Sequence, residues 1–269
     1  MGKNTKNKDF MKDPIEDLRK YRKFLESIPL DKYREELKDV KWVEQDLPPE
    51  ILPLISIFKY YWEERKFLDF EEWFEKFWKE INTSEKSKKA LEKFKRYYFN
   101  KSLEENEWFK KGFKARMYRT WLSILTQLDF CYMFEYICAK ERKNFQLKCN
   151  AELDAKGIDA KVNDIEFQVK KISQRKEARR INRKKKVIPI PYVVYNIEDL
   201  KKKINNPRVR NKTRYQKMLK AFHNYFECLE NGFVVFKENY LKQIINTLSD
   251  IEKIRERVNK ILIELCGES

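Results

Sequence analysis

One histidine, His223, stands among 269 residues, with only five glycines and five cysteines. Each scarcity removes a class of chemistry. A single imidazole argues against HNH-type nuclease centres, histidine zinc sites and most histidine-based triads. His223 itself lies in the helical run Tyr215–Glu230 and reads as a surface or packing residue. The cysteines (Cys131, Cys138, Cys149, Cys228, Cys266) form no CxxC pair, so neither a zinc ribbon nor a disulfide framework is indicated. Cys131 and Cys138, seven apart on an apolar helical stripe, read as core. None of the glycines makes a GxGxxG or GxxxxGK string, so no nucleotide cofactor is expected. No apolar run reaches the roughly 18 residues of a membrane span. The start, Met1-Gly2-Lys3-Asn4-Thr5-Lys6, has no apolar signal core, so the expectation is a cytoplasmic protein. What remains for catalysis is carboxylates, lysine and a hard cation.

Positive charge is abundant and concentrated. The formal net charge is +17, and the segment 170–220 alone holds 19 Lys or Arg against three acids, Glu177, Glu198 and Asp199. The rest of the chain is therefore nearly neutral. Focused charge of this kind is the footprint of phosphate-backbone binding, because each neutralised phosphate releases condensed counterions. The candidate contacts are Lys171, Arg175, Lys176, Arg179, Arg180, Arg183 and Lys184, then Arg208, Arg210, Lys212 and Arg214. A solvated helix face is the plain alternative. A membrane-surface helix would need an apolar stripe opposite the charge, and Lys170–Lys186 offers only Ile172, Ala178 and Ile181.

Just before this tract, Gly157–Val162 and Ile165–Lys171 alternate around the turn pair Asn163-Asp164, the pattern of a tight β-hairpin. The turn pairs Val162 with Ile165, Lys161 with Glu166, Ala160 with Phe167 and Asp159 with Gln168. Side chains alternate along a strand, so Glu166, Gln168 and Lys170 share a face that Asp159 joins, while Phe167 and Val169 point into a core. An acid, a neutral oxygen donor and a cation within reach of one point suit phosphodiester hydrolysis with Mg2+, which takes one or two carboxylates plus waters and phosphate oxygens. Asp159 and Gln168 are the candidate ligands. Lys170 is placed to orient water or offset phosphate charge. The bland alternative is an exposed hairpin face with ordinary polar residues.

Residues 1–105 read as successive helices, a cap or recognition region: Asp13–Glu26, Asp31–Val40, Glu50–Phe67, a stripe of Phe70, Trp73, Phe74 and Phe77, and Ser84–Phe99. Residues 106–269 form a second unit. It opens with a long apolar helix over 106–143, then strand Phe145–Cys149, the hairpin and a basic helix at Glu177–Lys185. Strand 187–195 follows, confined to an edge or a strand start by Pro189 and Pro191. Helices Ile197–Ile204 and Tyr215–Glu230, strand Phe233–Phe236 and one helix Glu238–Leu265 complete it. The fold class is α/β, a small mixed sheet flanked by helices.

The order helix, strand, hairpin with D…QxK, helix, strand resembles the PD-(D/E)xK nuclease superfamily, the restriction-endonuclease-like fold. The variant is similar to the Mrr type, in which glutamine replaces the second acid. The matching residues are Gly157-Ile158-Asp159 and Phe167-Gln168-Val169-Lys170, over roughly residues 106–196. The resemblance implies an Mg2+-dependent endonuclease of the type II restriction class that cuts double-stranded DNA and leaves 5′-phosphate ends. It also implies a helix-borne glutamate in an "FE" pair, matched by Phe134-Glu135, as a catalytic metal ligand beside Asp159 and Gln168. The proline-aspartate dipeptide is absent; Glu152 and Asp154 stand upstream instead and are open as ligands. Cutting both strands of a symmetric site implies a homodimer. A structure-selective repair or junction nuclease, and a non-catalytic nucleic-acid-binding protein on a decayed nuclease scaffold, are the rival readings.

Overall fold

The computed structural model describes residues 13–35, 47–98, 104–172, 186–193 and 195–268. Helix α1 (Pro14–Glu26) starts where its sequence says it should: Asp13 caps it, its Oδ1 accepting from Ile15 N at 3.1 Å and Glu16 N at 3.2 Å, with Pro14 in the first turn. It buries Leu18, Tyr21 and Leu25. After a 3-10 turn at Pro49–Ile51, α2 (Leu54–Phe58) runs into a π turn at Lys59–Glu63, so the expected helix Glu50–Phe67 is broken into short pieces. Pro53 explains the first break, since proline is tolerated only in a helix's opening turn. Helix α3 (Phe70–Thr83) buries Phe70, Trp73, Phe74, Phe77 and Ile81, and α4 (Glu85–Tyr98) follows.

The organising element is α5 (Glu104–Lys140), 37 residues and about 55 Å long. Phe113, Met117, Trp121, Leu125, Leu128 and Tyr132 along it are almost fully buried. A helix apolar on most sides needs cover on most sides, and it is covered by both halves of the chain. Helix α1 packs along it, with the Tyr21 hydroxyl donating to Leu125 O at 2.7 Å. The sheet packs on its other flank, Phe130 against Phe167 at 6.0 Å between ring centroids. One hydrophobic core therefore runs from Leu18 to Cys266.

The sheet has the order β1-β2-β3-β4, from Leu147–Lys148, Ala160–Val162, Ile165–Ile172 and Ile188–Val193. The first two pairings are antiparallel and the third is parallel. Edge strand β4 accommodates Pro189 and Pro191, and its outer rim is tied down by Tyr240, whose hydroxyl donates to Pro191 O at 2.8 Å. Helices α6 (Ala151–Ala155), α7 (Ile197–Asn205) and α8 (Lys212–Tyr225) precede a small hairpin, β5 (Phe226–Cys228) with β6 (Val234–Phe236). The helix expected over Tyr215–Glu230 thus ends five residues early, because Phe226 is buried opposite Phe236. The expected single helix Glu238–Leu265 is two, α9 (Glu238–Ile245) and α10 (Ile251–Leu265). Asp250 starts the second by accepting from Glu252 N at 3.0 Å and Lys253 N at 3.3 Å, while Leu248 stays buried in the break. The basic helix expected at Glu177–Lys185 lies outside the described residues. Among the described residues no helix is long and apolar enough to cross a membrane.

A buried ionic joint locks these parts. Asp129 on α5 has no exposed surface; its Oδ2 accepts from Phe236 N at 2.7 Å and its Oδ1 from Arg22 Nε at 3.3 Å. Arg22 of α1 also donates to Phe236 O. Removing one member of a buried pair strands the other, which costs about 3–5 kcal/mol. Asp129→Ala is therefore expected to lower Tm by roughly 10 °C at the size scaling of a chain this long. Glu16→Ala, which removes only exposed pairs to Arg19 and Lys20, should leave Tm nearly unchanged. Thermal melts of both variants check this.

Candidate active site

A single turn of helix sets the site. Asn150 caps α6, its side chain accepting from Leu153 N at 2.9 Å. The helix closes with Gly157 N donating to Asp154 O at 2.8 Å and Ile158 N to Leu153 O at 3.0 Å. That pair of bonds is the Schellman closure, whose turning residue sits in the left-handed region, and Gly157 has φ +76°. Gly157 therefore ends a helix; it does not begin the strand, as the alternation suggested, and β2 begins only at Ala160. The closure reverses the chain so that Asp154, on the helix, and Asp159, at the mouth of the strand, come together.

The hairpin beyond has the expected register: Val162 opposite Ile165, Lys161 opposite Glu166, Ala160 opposite Phe167, with Asn163 at φ +52° in the turn. The regular ladder then stops. Asp159 N donates to Phe167 O at 2.9 Å, and the Asp159 side chain takes the next backbone donor, Val169 N, on Oδ2 at 2.6 Å. The carboxylate is thus clamped by the backbone of β3 and is only 3% exposed. Burial pushes its pKa up to about 7; the neighbouring Asp154 charge adds to the rise, and Val169 N–H and Lys170 oppose it. Burial likewise pushes Asp154 up to about 6, with the Gln127 side chain of α5 opposing the rise. Gln168 and Lys170 sit half-buried on β3, the Gln168 amide lying beside Gly157.

The other acids are placed differently. Glu135 on α5 is ion-paired to Arg65 Nη2 at 2.9 Å; Arg65 lies over the Trp62 and Tyr132 rings and reaches Asp17 at 3.6 Å. The FE-pair glutamate thus faces the N-terminal helices. Glu152 is exposed and paired with Lys156 at 2.6 Å. Of the two upstream acids left open by the sequence, Asp154 is the one beside Asp159. Among the described residues no three His, Cys, Asp or Glu side chains converge on one point. The donor set nonetheless suits a hard divalent cation: two oxygen acids whose charge is disfavoured by burial, at Asp159 also by the Asp154 charge, with a neutral amide on the adjoining strand. Magnesium needs no more, since it keeps several waters.

Of the basic candidates, Lys171 lines a cleft of about 720 Å³ between α5 and the sheet, together with Arg119. Arg208 and Arg210 are exposed between α7 and α8, and Lys212 is half-buried. Arg214 is half-buried with Nε donating to Cys266 O at 3.0 Å, so part of its guanidinium holds the C-terminal turn. Arg175, Lys176, Arg179, Arg180, Arg183 and Lys184 lie outside the described residues.

Asp159, buried and clamped on the hairpin, stands beside half-buried Asp154 and near Lys170, and comparison with known proteins gives the lineage. The family model of the TaqI restriction endonuclease matches residues 18–248. The type II restriction enzyme TaqI of Thermus aquaticus is 36% identical over 241 residues, 84% of this chain and 86% of that enzyme. The type II restriction enzyme TthHB8I of Thermus thermophilus is 36% identical over 245 residues, 86% of this chain and 88% of that enzyme. No solved structure matches the chain. The chain belongs to the TaqI restriction endonuclease family.

The raised acids also set a pH dependence of stability. An acid whose folded pKa exceeds its unfolded value stabilises the fold fully only below that unfolded value. The contribution is lost as pH rises through the folded pKa, here from about 3.8 toward about 7 for Asp159. In chelator-treated protein, Asp159→Asn keeps an acceptor for Val169 N and removes the buried charge. It should therefore raise stability by on the order of 2 kcal/mol at pH 8 and by nothing near pH 4. Denaturant unfolding at the two pH values checks this.

Proposed function

We propose that this protein is a type II restriction endonuclease that hydrolyses phosphodiester bonds at a specific sequence in double-stranded DNA, using Mg2+ and leaving 5′-phosphate ends. Two supports converge: the family membership, and the Asp154–Asp159 pair closed by the Gly157 turn next to Lys170. In this reading the core is the restriction-endonuclease-like fold in its D…QxK form, with which the small mixed sheet and flanking helices are compatible. Asp154 and Asp159 would hold the cation, with Gln168 as a neutral oxygen donor. Bound there, the cation would supply charge for the phosphate oxygens and acidify a water. Lys170 orients the attacking oxygen and offsets charge building on the phosphate. Glu135 would join the metal site only on leaving its pair with Arg65.

Lys171, the basic tract and the exposed Arg208 and Arg210 grip the backbone, which positions DNA without reading it. The N-terminal helices, residues 1–105, are the region proposed for base readout, and their described residues pack into the same core as the rest of the chain. A homodimer would match the two strands of a symmetric site.

Incubation with long unmethylated duplex DNA and Mg2+ should give discrete fragments. Asp159→Ala and Lys170→Ala should each cut at least about 10²-fold more slowly, and intact DNA from the wild type with salt-sensitive binding retained would make the protein a binding module instead. Protons and the cation compete for acids with pKa values of about 6 and 7. At subsaturating Mg2+ the single-turnover rate should therefore fall as pH drops from 8 to 6, and excess Mg2+ should restore part of it.

A further inference from the structure

Helix α5 is buried and apolar along most of its length, yet one face of it, Arg119, Thr120, Ser123, Thr126 and Gln127, opens on the cleft of about 720 Å³. The other walls come from Val169 and Lys171 of β3, Tyr192 of β4 and the β5–β6 hairpin at residues 232–234. Charge and polarity are sorted within it. Arg119, Ser123 and Lys171 are exposed, so both cations stand at the rim. Deeper lie apolar and neutral groups, half-buried Leu122, Thr126 and Val169 beside buried Phe233 and Val234. Among the described residues no acid lines the cleft.

The walls are fixed before anything binds. Asn231 Nδ2 donates to Leu25 O and Ile28 O, each at 2.8 Å, and the Tyr192 hydroxyl donates to Val234 O at 2.8 Å. The cleft also adjoins the candidate active site: Val169 lines it with its side chain while its N–H donates to the Asp159 carboxylate at 2.6 Å.

A ligand that matches this lining carries negative charge at one end and, at the other, apolar faces with neutral hydrogen-bonding edges. A nucleotide does. A phosphate alone would leave the apolar interior unfilled, and a wholly apolar ligand would leave Arg119 and Lys171 unmatched. The volume falls among small-ligand sites, roughly 300–1,000 Å³, which is room for a nucleotide and not for a duplex. Resting on the restriction reading above, we propose that the cleft receives one nucleotide of the cleaved strand, turned out of the duplex next to the scissile phosphate. Arg119 and Lys171 flank its phosphate, and its base lies against Leu122, Val169 and Phe233. Prefixed walls lower the ordering cost of binding, which offsets the stacking lost when a base is turned out. A free nucleotide has the same chemistry and is the other source to be separated.

The test uses the full-length protein and a duplex centred on the cut mapped from wild-type fragments. 2-Aminopurine, whose emission stacking quenches, replaces one base at a time within three nucleotides of the cut, and binding is read with Ca2+ in place of Mg2+. Emission should rise several-fold at one position with wild type. It should stay flat with Thr120→Trp, which fills the cleft from α5 and leaves the rim charges in place. Arg119→Ala should lower the slope of log affinity against log salt by about one, the mark of one lost phosphate contact. Should Trp lower Tm, Lys171→Glu, a charge reversal at an exposed position, is read in its place. Flat emission at every position of a duplex that wild type binds and cuts would overturn the nucleotide site and leave the restriction reading standing. A rise that survives Thr120→Trp would overturn it too, since the base would then turn out elsewhere. Flat emission with saturable binding of deoxynucleoside 5′-monophosphates, lost in Thr120→Trp, would overturn the strand and give the cleft to a free nucleotide. Failure of wild type to bind or cut any duplex would sink the restriction reading itself.

Discussion

Asp129 is a carboxylate with no access to water, and the molecule is assembled around its need for donors. Arg22 comes to it from the first helix, and Phe236 N–H from the C-terminal hairpin. An unpaired charge in that position would be intolerable, so elements more than 100 residues apart in sequence must dock on α5 together. The long helix thus acts as a spine. Its apolar sides are covered by the N-terminal helices and the sheet.

That site gathers two further acids, Asp154 and Asp159, into a place where burial disfavours their charge. The fold holds them there through backbone conformation and backbone hydrogen bonds. The one-turn helix and its left-handed Gly157 fix the chain reversal, and Val169 N–H fixes the second carboxylate. Such an arrangement is unfavourable for the protein alone at neutral pH, and on the proposed reading a divalent cation sharing the charge would relieve it. Strain of this electrostatic kind is characteristic of functional sites.

The hairpin was legible in the sequence because a period of two with a two-residue turn admits a single register. Gln168 and Lys170 could be placed on one face of β3 from that alone. The expected Asp159–Gln168 pair is not in the ladder, which ends at Ala160 opposite Phe167 while Asp159 bonds the backbone of β3. Asp154 could not be placed, because Gly157 reads equally as the start of a strand and as the end of a helix; only the backbone bonds of residues 153–158 decide between them. The break between α9 and α10 was hidden for a related reason, as the apolar stripe continues through Leu248 while Asp250 caps a new helix. Glu135 was chosen by its neighbour Phe134, but its partner Arg65 lies 70 residues away and no local pattern announces it.

On the proposed reading, Asp154 and Asp159 hold one cation between them. A crystal structure of the protein with Mn2+ and a non-cleavable duplex would test it most directly, through the anomalous signal of the metal. The account predicts a peak within about 2.0–2.3 Å of an oxygen of each carboxylate, as Mg2+-like ligation requires. A peak at Glu135, with no ligation by Asp154 or Asp159, would contradict it.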